Sequence, residues 1–348
     1  MKKEYIAMDV HKSYSLMERE SHSTGETSHK RIEHHPGAIQ AALHGIKRGT
    51  PVAIEATGNW YWVADEIEAA GLQPLLVNPA KAKTYIGNTN KTDKLDVHGL
   101  NRLQRNGTLP TVWIPPAELR DLRELTRVRM VFSSGRTKLK NRINAILSKY
   151  NKTIEASDIF GKKGQLELKV IISQLPEQTA WTVQLQLEQL NLVQSQLNAQ
   201  EKRLKSLITV TPEIQRLMTM PGIAVILGTT IALEIGDVFR FPDSGHLAAY
   251  AGTTPRVISS GGRTRYGKLR TDVNHTLKWA FSEAANSVAV NHQRFPERHV
   301  SNLYRRLRAR KGHAKAIGAV SRHLAESAYY VLSRQESYKE RGVSSHTS

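Results

Sequence analysis

Four carboxylates in the first hundred residues carry the strongest chemical signal in this sequence. Asp9 stands in YIAMDVHK among apolar neighbours, and Glu55 stands in VAIEATG, where an ionised side chain is costly unless partnered. Asp93 and Asp96 are three apart in KTDKLDVHGL. On a helix that spacing puts both on one face, with Cβ atoms roughly 5–6 Å apart. A lone Asp at a helix start is commonly a cap, which accounts for Asp93 alone but not for Asp9 and Glu55. Converging carboxylates repel one another, and no nearby lysine is clearly placed to neutralise them. Divalent metal is the natural remedy: two Mg2+ ions about 3.5–4 Å apart clamp a phosphate and activate an attacking oxygen.

A second constellation lies about 165 residues later, in AYAGTTPRVISSGGRTRYGKLR. Arg256, Arg263, Arg265, Lys268 and Arg270 are phosphate donors with no acid among them, and Ser259-Ser260-Gly261-Gly262 sits in their midst. A serine becomes a nucleophile when a base takes its proton and cations stabilise the transition state. The arginines meet the second need; the segment holds no His or carboxylate for the first. On composition alone it is a phosphate-binding loop. Two further sites suit nucleic-acid backbone. Gly222, in MTMPGIAV, fits a helix–hairpin–helix turn whose N–H groups reach a phosphate, the alternative being a plain turn. NLYRRLRARKGHAK packs basic residues, among them Arg305, Arg306 and Arg308, into a helix that is otherwise a solvated end.

The positioning elements follow from periodicity. EYIAMDVHK, SYSLMERE and SHKRIEHH read as three strands. AIQAALHGIKRG reads as a helix ending on Gly49, PVAIEATG as a strand, NWYWVADEIEAAG as a helix, LQPLLVNP as a strand and DKLDVHGLNRLQR as a helix. An antiparallel meander followed by alternation predicts a mixed sheet under helices, with the first and fourth strands side by side and the carboxylates converging at one sheet edge. Pro115-Pro116 ends this unit. A basic helix follows from Ala117 to about Tyr150, then a polar loop over 151–164, then a Gln-rich helix from Glu177 to about Leu207. Val183, Leu190, Leu197 and Leu204 recur every seven residues on that helix, with Leu187 and Ile208 at companion positions. Intrachain packing and a dimer contact both satisfy that pattern. Pro212 opens a last region, helical except for the serine loop, and 335–348 reads as a disordered tail. The expected domains are therefore 1–116, 117–210, 211–334 and the tail.

Composition narrows the class. The 348 residues hold 39% hydrophobic and 23% charged side chains, an ordinary globular balance that rules out wholesale disorder. The absence of cysteine excludes disulfides, thiolate catalysis and zinc fingers. No apolar stretch is long enough for a signal peptide or a membrane span, so the expected setting is cytoplasmic, with no membrane partner. Formal charge is +19, of which residues 1–116 carry only +2. The first domain need not grip a polyanion, whereas the rest, with ten basic residues between Arg120 and Lys152, is suited to it.

With these residues in view, the chain resembles insertion-sequence transposases of the DEDD class, the bridge-RNA-guided serine recombinases. The strings that carry the likeness are YIAMDVHK, VAIEATGNW, VNPAKAK with KTDKLDVHGL, MPGIAVILGTTIALEIGD, RFPDSGHLAAYAGTTPRVISSGG and KGHAKAIGAVSRHLA, between about Tyr5 and Leu332. The resemblance implies an α/β N-terminal domain of ribonuclease H and RuvC type with Asp9, Glu55, Asp93 and Asp96 as a Mg2+-binding tetrad. It implies long coiled-coil helices that mediate dimerisation, and an all-α C-terminal domain with a helix–hairpin–helix-like turn. The family's Ser-Gly pair falls on Ser260-Gly261, with Ser259 as a competing hydroxyl. Its expected chemistry is strand exchange through a 5′-phosphoserine, at a composite site assembled between protomers, guided by a structured non-coding RNA paired with target and donor DNA. Dimers, tetramers in the synaptic complex and a bacterial, nucleoid-associated setting are implied likewise. A structure-specific endonuclease using water is the competing reading, and a non-catalytic nucleic-acid binder the third.

Overall fold

A computed structural model describes residues 4–87, 92–207 and 209–340. Ile208, part of the Gly/Asn/Thr loop before Asp93, and most of the expected tail lie outside them. The chain divides into two compact units, residues 1–115 and 116–348.

The first unit is a five-stranded sheet in the order β3-β2-β1-β4-β5, formed by β1 (Glu4–Val10), β2 (Tyr14–Ser21), β3 (Thr27–Glu33), β4 (Pro51–Glu55) and β5 (Gln73–Val77). β1 pairs antiparallel with β2 and parallel with β4, so the meander and the alternating segment share β1 as their seam. One face carries Ile6, Met8, Val10 and Ile54 beneath α1 (Ala38–Ala42) and α2 (Trp60–Ala69). The other carries Ala7, Ala53 and Val77 beneath α3 (Pro79–Ile86) and α4 (Asp93–Arg105). Small side chains at Ala7 and Ala53, both fully buried, let α4 lie close over the middle strands.

Two local differences from the sequence reading have simple causes. The helix expected through Gly49 is only α1, because Gly45 adopts φ +80°, which breaks the helical turn. α3 was not expected, yet its Asn78 side chain accepts from Lys81 N at 3.1 Å and Pro79 occupies its first turn.

The second unit is helical. α5 (Ala117–Lys149) and α7 (Glu177–Leu207) run antiparallel, with α6 (Lys162–Ile172) in the segment between them. Val183 and Leu190 pack against Ile143, Leu147 and Leu168, so the seven-residue row is filled from within the chain. Beyond α8 (Pro212–Met218) and α9 (Val225–Ile235) come α10 (Ser244–Tyr250), α11 (His275–Asn291), α12 (His299–Lys311) and α13 (His313–Ser333), around a core centred on Phe281, Leu277, Val320 and Leu324. The segment expected as a loop is a β-hairpin, β6 (Pro255–Ser260) and β7 (Arg263–Leu269). The helical region thus carries one two-stranded sheet. Gly261 and Gly262 form its two-residue tip, both at positive φ (56° and 73°), the requirement of a type I′ turn.

Among the described residues no helix is long and apolar enough to cross a membrane.

Candidate active site and nucleic-acid interface

Asp9 lies near the C-terminal end of β1, and His11 follows just beyond it. A strand alternates its side chains, so Ala7, Asp9 and His11 share the face that α4 covers. The β1–β4 register runs to Met8↔Ile54, so Asp9 and Glu55 come next on adjacent parallel strands. Glu55 is half-buried at the end of β4. α4 brings Asp93 and Asp96 in its first turn. The cap of that helix is Thr92, whose Oγ1 accepts from Leu95 N at 3.3 Å, so Asp93 is not needed for capping.

The groups that converge are Asp9, His11 and Asp93, each offering a ligand atom within 4.8 Å of the others. His11 Nε2 is 3.2 Å from Asp9 Oδ2 and 3.2 Å from Asp93 Oδ2. Tyr14 OH donates to Asp93 Oδ2 at 2.9 Å, and that bond raises the phenol's pKa above its ordinary value. The tyrosine ring lies on the His11 imidazole, centroids 4.4 Å apart. Asp9 is 13% exposed, His11 33% and Asp93 44%, so the set opens to solvent on its α4 side. Glu55, at the end of β4, and Asp96, in the first turn of α4, lie outside that tight group. Two carboxylates and an imidazole on one small patch fit a divalent cation by donor type and spacing.

What docks α4 over this edge is a second pair of carboxylates that the sequence reading passed over. Glu18 and Glu20 point from β2 to the α4 face and are buried. Glu18 accepts from Asn101 Nδ2 at 3.0 Å and meets His98 Nδ1 at 3.2 Å, with His29 Nε2 at 2.9 Å on its other oxygen. Glu20 takes Arg105 Nη1 at 2.5 Å. Their signal was the alternation of SYSLMERE, which places acids on a covered face. His11 was legible too, as D-x-H at strand spacing.

In the second unit the hairpin is exposed along both strands. Cross-strand pairs Ile258↔Arg265 and Ser260↔Arg263 share one face, and Val257↔Tyr266 and Ser259↔Thr264 the other. Ser260 therefore stands with Arg263 and Arg265. Ser259 Oγ lies 3.3 Å from Thr264 Oγ1. Arg256 and Lys268 are exposed on the strands. Arg270 differs from these: it is paired with Asp272, holding that carboxyl below its ordinary range.

A buried polar network joins α5, α9 and the start of α11. Glu234, on α9, is fully buried and receives Arg127 Nε at 2.8 Å and Asn274 Nδ2 at 2.7 Å. Asn274 also caps α11 through Leu277 N at 2.9 Å, and Arg123 donates to the Leu233 and Glu234 carbonyls at 2.8 and 2.9 Å. Burial lowers the Arg123 pKa, against the pull of Glu234. This narrows the expectation that the ten basic residues between Arg120 and Lys152 serve a polyanion. Arg120 and Arg123 are buried, and Arg129 is tied to Glu201 at 2.6 Å. Lys138, Arg142 and Lys149 face solvent on the far half of α5, as do Arg305, Arg306 and Arg308 on α12. Gly222 has a packing reason of its own. It sits at φ +79°, and a Cβ there would lie 2.3 Å from the Ala284 carbonyl oxygen of α11.

Comparison with known proteins covers both units. The DEDD_Tnp_IS110 transposase model matches residues 6–152, and the transposase IS116/IS110/IS902 family model matches residues 214–300. The transposase for insertion sequence element IS1111A of Coxiella burnetii is 24% identical over 83% of this chain and 79% of its own length. The transposase for insertion sequence element IS1328 of Yersinia enterocolitica is 24% identical over 61% of this chain and 63% of its own. A carboxylate-bearing first unit and, later in the chain, an arginine–serine hairpin, matched in order by two family models, make this chain a member of the IS110/IS116 family of transposases, enzymes that act on DNA.

Proposed function

We propose that the protein cuts and rejoins DNA through a covalent 5′-phosphoserine at Ser260, directed to its sites by a structured non-coding RNA. The observation that carries this reading is the hairpin's face: an exposed Ser260 flanked across the strand by Arg263 and next to Arg265. Two guanidiniums neutralise the non-bridging oxygens of a phosphodiester that the hydroxyl meets. Attack forms the Oγ–P bond and breaks the P–O3′ bond. The serine proton passes to a base, and the released 3′ oxygen takes up a proton. Rejoining reverses these steps on a new 3′ hydroxyl, with the number of phosphate ester bonds unchanged, so no external energy source is needed. Asp9, His11 and Asp93 would hold a divalent cation, which supplies Lewis-acid polarisation of a phosphate when bound. Tyr14 keeps Asp93 turned toward that position.

The exposed cations of α12 and of the far half of α5 support a second, RNA-sized polyanion read through its backbone. Assembly into dimers and tetramers belongs to the same reading. A stripe of exposed apolar residues on α7 (Trp181, Leu185 and Leu192), away from its buried row, supports it.

The acid–histidine set taken alone favours a second reading, a metal-dependent endonuclease that uses water. A denaturing gel that resolves protein-linked DNA separates the two. Wild type should give an adduct, Ser260→Ala should bind DNA and give none, and Ser259→Ala should keep most activity. Cleavage by wild type without any adduct would hand the case to the endonuclease.

A further inference from the structure

We propose that His11 is itself a ligand of the divalent cation, and that the Asp9–His11–Asp93 set therefore favours a transition ion such as Mn2+ over Mg2+. The inference rests on the metal-binding part of the reading above and not on the phosphoserine step.

The imidazole presents its Nε2 to both carboxylates at ion-pair distance, the position that a third ligand of a shared cation also takes. This Nε2 is buried and 3.2 Å from one oxygen of each aspartate, yet it makes no hydrogen bond among the described residues. The nitrogen is thus equidistant from the two oxygens. Neighbouring donors on an octahedral ion with bonds of about 2.1–2.2 Å lie roughly 3.0 Å apart. The two separations from His11 are close to that edge length, and the third, between the aspartate oxygens, lies within 4.8 Å, so side-chain shifts bring all three onto one ion.

The ring is also held from outside the set. His11 N donates to Tyr14 O at 2.9 Å, and Asn59 Nδ2 donates to His11 O at 2.7 Å, which fixes the backbone on both sides. Tyr14 then covers the ring and bonds Asp93, while Arg31 of β3 lies 3.6 Å from the centre of the tyrosine ring. One tyrosine thereby orients two ligands, the role that outer partners play around metal-binding histidines.

The donor set decides the ion. Mg2+ is a hard cation that prefers oxygen ligands and gives up water reluctantly. Imidazole nitrogen binds the first-row transition ions better, and affinity rises from Mn2+ toward Zn2+. A site made of aspartates alone would have no such bias.

Electron paramagnetic resonance on the full-length protein with Mn2+ tests this directly. Wild type should hold Mn2+ against about a 100-fold excess of Mg2+ and show pulsed-spectrum coupling to a ligand nitrogen. His11→Ala should lose that coupling and lower the Mn2+ over Mg2+ preference by about tenfold or more. His11→Asn, which keeps the size and offers an oxygen, should retain Mg2+ binding without the nitrogen signal, with a melting curve confirming that it is folded. Unchanged nitrogen coupling or unchanged selectivity in both variants would overturn the proposal while leaving the carboxylates as the metal site. Absence of Mn2+ and Mg2+ binding by wild type would overturn this proposal and the metal reading beneath it, and adduct formation on the gel would then be judged separately.

Discussion

The carboxylate edge and the serine hairpin hold their reactive groups by opposite means. Asp9 and Glu55 stand at or near the ends of strands whose side chains are mostly buried core, and α4 is locked above them by Glu18 and Glu20. Ser260 stands on a ribbon with no core of its own, on which Val257 is 58% and Tyr266 72% exposed. The segments that flank it form its foot, tied together where Asn274 N donates to the Tyr250 carbonyl and the Asn274 side chain meets Glu234. Preorganisation therefore differs between the two sites: the fold supplies it for the acids, and whatever docks on the ribbon completes it for the serine.

The largest expected effect bears on the ribbon's foot. Glu234→Ala leaves Arg123 and Arg127 without their buried partner and should cost about 3–5 kcal/mol in urea unfolding. A loss below about 1 kcal/mol would mean the foot is no better held than the strands above it. Next, Ala53→Leu forces bulk between β4 and α4 and should cost about 1–3 kcal/mol. The rise in melting temperature on adding Mn2+ should disappear with it, because Asp93 is lifted away from Asp9. If that metal-induced rise persists, α4 does not set the distance between the acids.

Two smaller changes probe the ribbon itself. Tyr266→Ser should leave unfolding stability within about 0.5 kcal/mol of wild type, and a larger loss would reveal packing on the strands. Asp272→Asn should matter least, by about 0.3 kcal/mol, since its pairing with Arg270 is solvent-screened. The sign follows from the depressed pKa of Asp272. The pair stabilises above the ordinary carboxylate value and loses its contribution as pH falls through the lower folded value. The gap between wild type and variant should thus close in acid; a gap that widens would refute the pairing.

Legibility in the sequence followed the range of the interactions. Strand alternation and the order of elements placed β1 beside β4, and the bounds of α5 and α7 were readable because their apolar rows are long and end at prolines, loops or charge. The ribbon was missed because neither strand buries a face, so no period of two stands out, although the double glycine at its tip was in plain view. Arg123 and Glu234 were opaque for another reason. They are 111 positions apart, and an arginine on a basic helix looks alike whether it meets solvent or a buried acid. His11 was overlooked because attention to carboxylates alone left out the neighbour two positions along the same strand.

The ribbon's tip makes the identity of the reactive hydroxyl a matter of parity. Ser259 and Ser260 are chemically identical neighbours, and alternation sends them to opposite sides. Which one shares Arg263's side is decided by how many residues make the bend. Removing Gly262 would leave every serine and arginine in the chain, yet it would bring Ser259 opposite Arg263 and place Ser260 in the turn. Two residues without side chains thus act as a counter, and a miscount of one exchanges the two hydroxyls without altering a single functional group.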